Sequence, residues 1–309
     1  MIWLWILFGL CVIVFGILYS AYYYCFRKNK ASMIDECTAP GGKVYEPHAK
    51  MITCGIDLVL QHTHEDVYIT SRDGLKLHGK YYHQADGAPL VIFMHGYRSG
   101  ALRDGNGAFY MSWRRGYNVL LVDQRAHGLS EGKTMTFGIK ERYDCLGWIH
   151  YANERFGEEI PITLMGISMG ASTVMMASAL DIPNNVRCVL EDSGFSSPSA
   201  VIKSVICSMK LPVWLVYPIV RLSGKIFAGI DVEEASCVEA VRNSKVPILF
   251  VHGEADDFVP CYMSKECYEA CGMSKRLLTV PGAGHGLSHC VDQDGYEALV
   301  EAFLEEVVV

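Results

Sequence analysis

Leu164-Met165-Gly166-Ile167-Ser168-Met169-Gly170 decides the reading of this chain. It follows the apolar run Ile160-Pro161-Ile162-Thr163 and leads into Ala171-Ser172-Thr173-Val174-Met175-Met176-Ala177-Ser178-Ala179-Leu180, small and apolar residues expected to form a helix. The order is strand, tight turn, helix, with a serine at the apex of a G-x-S-x-G pentad. Glycine on both flanks lets strand and helix approach where a Cβ would clash. Ser168 is expected to project at the carboxyl end of a strand and at a helix N-terminus, where the dipole favours developing negative charge. The same pentad arises by chance in glycine-rich loops, so its context carries the argument.

Working upstream, Pro89-Leu90-Val91-Ile92-Phe93-Met94 is a continuous apolar run of the kind buried on both faces of a parallel sheet. It ends in His95-Gly96-Tyr97-Arg98-Ser99-Gly100. A helical segment around Gly107 to Arg115 separates it from the strand Tyr117-Asn118-Val119-Leu120-Leu121-Val122, and apolar residues at helical spacing run from about Gly138 to Phe156. From Glu65, alternation around Asp73-Gly74 predicts a β-hairpin. Downstream come the strand Val186 to Leu190, the strand Val246 to Val251, a short helix near Ser264 to Ala270, the strand Arg276 to Val280 and a terminal helix from about Asp292 to Val307. This rhythm predicts a mostly parallel, doubly wound α/β sheet. It breaks over about 195–235, an apolar, proline-interrupted insert too long for an ordinary connection, which is expected to be a small helical cap over the site.

The 309 residues suffice for one large domain plus an appendage. A formal net charge of -7 gives no electrostatic footprint for nucleic acid. From Met1 to Phe26 no side chain is charged, and the run is long enough to span a bilayer as a helix, with Trp3, Trp5 and Tyr22-Tyr23-Tyr24 as aromatic belts and Arg27-Lys28-Asn29-Lys30 closing it. It lacks the basic start and small-residue cleavage site of a signal peptide, so an uncleaved anchor is expected. The expected organisation is an anchor with its basic flank over 1–30, a juxtamembrane connector over 31–64 and a catalytic domain over 65–309. The basic cluster on the domain side favours a cytoplasmic domain, as do the twelve scattered cysteines, though the side stays open. Cys261, Cys267, Cys271 and Cys290 are near enough in sequence to consider a disulfide or a metal, but small apolar core residues are the cheaper explanation.

A serine hydroxyl needs a general base, and the base needs a group that fixes its tautomer. Asp256 follows one late strand and His285 follows the last, so both are expected at the sheet edge that carries Ser168. Asp192 and Asp257 remain rival acids. His95, Asp123, Arg125, His127 and His252 are expected to hold loops, Met209 and Trp214 to fill the cap core, and His289 has no evident role.

His95-Gly96-Tyr97, Asp123 to Ser130, the pentad, His252 to Pro260 and Gly284-His285-Gly286, in this order, resemble the α/β-hydrolase superfamily. More narrowly, the chain resembles bacterial membrane-anchored serine hydrolases of the esterase, acylglycerol-lipase and serine-aminopeptidase-like group, from about Glu65 onward. The resemblance implies Ser168 as nucleophile, His285 as general base and then acid, and Asp256 as the orienting carboxylate. It also implies an oxyanion hole from the backbone N–H groups of Tyr97 and Met169, each such donor being worth about 3 kcal/mol of barrier.

The expected activity is therefore hydrolysis of small carboxylic esters through an acyl-enzyme, with no metal or cofactor needed and with the bilayer as a partner through the N-terminal helix. An acyl-thioesterase or a serine peptidase could use the same residues. The peptidase would want an acidic pair for a substrate amine, for which Asp231, Glu233 and Glu234 offer themselves. A non-catalytic binding protein on the same fold has no need of all three groups.

Overall fold

A computed structural model describes residues 1–28 and 35–308. Asn29, Lys30 and the start of the expected connector lie outside the described residues. The chain opens with helix α1 (Ile2–Cys25), then α2 (Ala49–Leu60), and enters the sheet with β1 (Glu65–Thr70), β2 (Lys76–Tyr82) and β3 (Leu90–Met94). There follow α3 (Ala101–Arg114), β4 (Asn118–Val122), α4 (Glu141–Phe156), β5 (Ile162–Ile167), α5 (Met169–Ala177) and β6 (Val186–Asp192). The insert folds as α6 (Pro198–Ser208) and α7 (Val213–Ser223), which runs into a wide π-turn over Gly224–Ala228. The chain closes with α8 (Cys237–Arg242), β7 (Ile248–Gly253), α9 (Tyr262–Ala270), β8 (Lys275–Val280), α10 (Ser288–Val291) and α11 (Gln293–Val307).

The eight strands form one sheet in the order β1-β2-β4-β3-β5-β6-β7-β8. β2 is antiparallel to β1 and to β4, and the strands from β4 to β8 pair in parallel. This is the doubly wound architecture expected from the β-α rhythm. Alternation sorts the side chains of β3: Leu90, Ile92 and Met94 pack with Trp148 of α4 and Met175 of α5, whereas Val91 and Phe93 pack with Phe109 of α3 and Phe303 of α11. Both faces are covered, which is why the strand reads as an unbroken apolar run.

The elbow after β5 explains the pentad. Ser168 has φ 56°, in the left-handed region that ordinary side chains rarely occupy. A Cβ on Gly166 would stand 2.4 Å from the backbone of Gly170, and one on Gly170 would stand 1.9 Å from the Met94 carbonyl oxygen. Strand β5, helix α5 and the end of β3 therefore meet backbone to backbone, which only glycine permits. The register sets Gly166 beside Met94 and Ile167 beside Asp192, so the elbow leaves the sheet among the ends of β3 and β6.

Three local expectations change. Helix α3 starts at Ala101, six residues before the expected boundary. Gly105 hides it in sequence, yet a Cβ there would press on Phe93 at 2.9 Å, so the glycine serves close helix-sheet packing. The stretch read as a juxtamembrane connector carries α2, whose Ile52, Ile56 and Val59 are buried at helical spacing, and Gly55 lets α2 cross α3 closely at Asn106. Met209 and Trp214 lie exposed on the cap surface rather than in its core. All twelve cysteines are free thiols.

Gly170→Ala forces the Met94 carbonyl to move, and overpacking of this kind costs at least ~2 kcal/mol. Urea unfolding of the variant should show a lower midpoint than an exposed control such as Gly41→Ala, which has open space around it and no positive φ; equal midpoints would contradict the packing account.

Candidate active site

Ser168, Asp256 and His285 come from three separate loops at the carboxyl edge of the sheet, and the structure brings all three together. Ser168 Oγ lies 2.9 Å from His285 Nε2, and His285 Nδ1 lies 2.6 Å from Asp256 Oδ2. The hydroxyl donates to the ring, and the ring donates through Nδ1–H to the carboxylate. The other Asp256 oxygen, Oδ1, accepts the backbone N–H groups of Phe258 and Val259 at 2.9 and 2.8 Å, so the loop after β7 grips the carboxylate. Burial alone would raise the Asp256 carboxyl, but the hydrogen bonds from His252 and His285 outweigh it and hold the group well below the usual carboxylate range.

Neither rival acid is hydrogen-bonded to His285, whose Nδ1 is taken by Asp256. Asp257 is exposed. Asp192 accepts the Ser193 hydroxyl at 2.8 Å, while its backbone carbonyl receives the Ser168 N–H at 2.8 Å. Its backbone thus fastens the elbow to the end of β6.

His252 does more than pack a loop. Fully buried, it reaches Ser264 Oγ through Nδ1 at 2.7 Å and, through Nε2, the Val259 carbonyl at 2.8 Å and Asp256 Oδ2 at 3.2 Å. It braces the same carboxylate that orients His285.

The loop after β3 is equally fixed. Gly96 lies against Ser168, where an added Cβ would meet the serine Cβ at 3.3 Å. The Gly96 N–H donates to Asp104 at 2.8 Å, and the Arg98 N–H donates to His127 Nε2 at 3.1 Å. Between them the Tyr97 N–H has no protein acceptor among the described residues. Met169 is the first residue of α5, whose opening N–H groups have no intrahelical partner. His127 is buried, which pushes its pKa down to about 3 and keeps it neutral, as an acceptor must be. His95 Nε2 accepts the Gln124 N–H at 3.1 Å. Behind this loop Arg125 pairs with Asp144 at 2.6 Å and with Asp73 at 2.9 Å, and Asp123 holds His78 at 2.7 Å. These residues keep the structural roles expected of them.

A cavity of about 440 Å³ opens beside Ser168 and His285. Phe93, Met111, Met165, Leu190 and Tyr296 give it apolar walls, with Arg103 and His289 among its polar lining. The expected roof does not cover it: no cap residue lines this cavity. Pro40, Tyr45 and Ile52 do, from the segment read as a connector. The Tyr45 hydroxyl donates to the His285 carbonyl at 3.1 Å, and Lys80 holds Glu36 at 3.0 Å, so the segment is docked on the domain. The sequence signal for this wall was the spacing of Ile52, Ile56 and Val59. His289, which had no evident role, pairs with Glu297 at 3.2 Å on the cavity side.

Two of the three acidic candidates in the cap pair with cap cations, and the third, Glu234, is exposed and accepts the Asp231 N–H at 3.1 Å. Asp231 pairs with Arg221 at 2.8 Å and Lys225 at 2.7 Å, and Glu233 pairs with Arg221 at 2.5 Å and accepts the Tyr217 hydroxyl at 2.8 Å. Such an arrangement of serine, histidine and carboxylate can activate a hydroxyl for attack on an electrophilic carbonyl.

Comparison with known proteins agrees with this fold. The family model described as serine aminopeptidase S33 matches residues 86–234, and that of TAP-like proteins matches residues 228–307. The YqkD protein of Bacillus subtilis, itself uncharacterized, is 25% identical over 300 residues, covering 96% of this chain and 94% of its own. An uncharacterized membrane protein of Saccharomyces cerevisiae is 26% identical over 195 residues, 62% of each chain. Among solved structures, the Pf2001 esterase of Pyrococcus furiosus superposes with a TM-score of 0.66 at 24% identity, covering 90% of this chain and 99% of that one. The Est1E protein of Butyrivibrio proteoclasticus, solved with ferulic acid bound, gives a TM-score of 0.61 at 22% identity, with 78% and 98% covered. With its elbow serine, its mixed eight-stranded sheet and two hydrolase family models matching adjoining parts of 86–307, the chain has the α/β-hydrolase fold.

Proposed function

We propose that this protein is a membrane-anchored serine hydrolase that cleaves carboxylic esters through an acyl-enzyme. The observation that carries the reading is the Ser168–His285–Asp256 hydrogen-bond chain at the edge of an apolar cavity. In this reading His285 Nε2 takes the Ser168 proton as Oγ attacks the ester carbonyl carbon. The negative charge on the carbonyl oxygen is met by the N–H groups of Met169 and Tyr97. Collapse of the tetrahedral intermediate expels the alcohol, which takes its proton from His285. Water, deprotonated by the same nitrogen, then attacks the acyl-enzyme carbonyl, and the carboxylic acid leaves as Ser168 regains its proton.

An ester is favoured over a peptide substrate because Asp231 and Glu233 are spent on Arg221 and Lys225, leaving no acidic pair for a substrate amine. Esterases among the similar structures point the same way. Membrane anchoring is supported by α1, 24 residues long with mean hydropathy 2.5 in its most apolar window, and by the membrane protein among the relatives.

Ser168→Ala should lower kcat on p-nitrophenyl acyl esters by at least ~10⁴-fold with an unchanged melting curve. Asp256→Asn should cost about 10⁴-fold by the tautomer it imposes on the histidine, while Asp257→Asn should stay within about twofold of wild type; the reverse order would reassign the acid. Thioester and aminoacyl-amide turnover measured beside ester turnover separates the rival readings.

Ile52→Trp should narrow the cavity and lower kcat/KM for decanoyl esters about tenfold more than for acetyl esters. An unchanged ratio would mean that the acyl chain lies elsewhere.

A further inference from the structure

The insert does not roof the cavity, and its position next to α1 suggests another task. Phe227 of the π-turn contacts three rings of α1: Phe15 and Tyr19 at 5.6 Å and Tyr22 at 5.5 Å between centroids. Phe15 lies ten residues before Cys25, about 15 Å along a helix of 1.5 Å rise. A bilayer core is about 30 Å thick, so α1 read as a span carries Phe15 deep into the near leaflet. Phe227 goes with it.

The outer surface of the cap is built for that place. Leu211, Trp214, Leu215, Pro218, Leu222 and Ile226 recur at intervals of one to four residues along one face, all exposed, with Trp214 at 79% and Ile226 at 55%. Two cations border the stripe, Arg221 and the half-exposed Lys225, and both are paired with Asp231. In water such a surface is a liability, and contiguous exposed apolar patches on folded domains mark membranes or partners. Here the stripe is continuous with the lipid-facing surface of α1, which commits the occupant.

The site is fastened to the same place. The last turn of a helix leaves carbonyls without partners. In α1 two of these are taken by the loop that also carries the Tyr97 N–H: the Tyr97 hydroxyl donates to the Cys25 carbonyl at 2.9 Å, and Arg98 donates to the Tyr24 carbonyl at 2.7 Å.

We propose that the exposed stripe of α7 and its π-turn is a lipid-facing surface, sunk into the acyl chains of the leaflet in which α1 ends, so that the site draws esters dissolved in the bilayer. This rests on the reading of α1 as a membrane anchor. The cap becomes a hydrophobic foot beside the anchor, and the loop at Ser168 sits at headgroup level. The substrate class is then an amphiphilic or lipid ester that partitions into membranes.

The test is quenching of tryptophan emission by phospholipids brominated in the acyl chain, with the full-length protein reconstituted into vesicles. A Trp3→Phe/Trp5→Phe protein leaves Trp214 beside Trp113 and Trp148, and adding Trp214→Phe isolates the Trp214 signal by difference. The proposal expects the Trp214 signal to be lost in brominated vesicles. An unquenched Trp214, with Trp3 and Trp5 quenched in the wild type, overturns the proposal and leaves the anchor standing. Absence of quenching at all three positions, with release of the protein by alkaline carbonate, overturns the anchor and the proposal together.

Discussion

The close approach of three backbones at the elbow is the constraint on which the rest of the site depends. Gly170 rests on the Met94 carbonyl, and Gly166 rests on Gly170, so the end of β3, the end of β5 and the start of α5 are locked at distances that exclude a side chain. That contact holds Ser168 at φ 56° and presses Gly96 against it, which brings the Tyr97 amide and the opening amide of α5 to one place. Strain at the serine is sustained because the surrounding sheet over-determines it.

Around that point the polar network works by mutual restraint. Asp256 is gripped by two backbone N–H groups and two histidines, and a carboxylate so held cannot turn away from His285. His127, neutral because it is buried, accepts the Arg98 N–H and thereby fixes the other side of the pocket. Ser168, Asp256 and His285 sit on turns that follow β5, β7 and β8, and the sheet beneath supplies their register.

The sheet and the three central residues were legible in the sequence because each rests on a local signal. Unbroken apolar runs mark buried parallel strands, the flanking glycines mark the elbow, and Asp256 and His285 each follow a strand. The choice among Asp192, Asp256 and Asp257 needed coordinates, since it turns on side-chain direction. So did the cavity wall. The segment before Glu65 looks broken by Pro40, the Gly41-Gly42 pair and Pro47, and only the spacing of Ile52, Ile56 and Val59 betrays a helix that packs on α3. The cap was recognisable as an insert, but nothing local tells a roof from a foot. That follows from Phe227 meeting Phe15 and Tyr19, a contact across more than two hundred residues.

The central claim is that Ser168 becomes covalently acylated. Incubating the full-length protein with a fluorophosphonate and mapping the adduct by peptide mass spectrometry tests it directly. The account predicts a single modified residue, Ser168, with modification slowed while excess ester substrate is present and much slowed in His285→Ala. Ester turnover that persists in a protein with no adduct at Ser168, or an adduct at another residue that tracks activity, would contradict it.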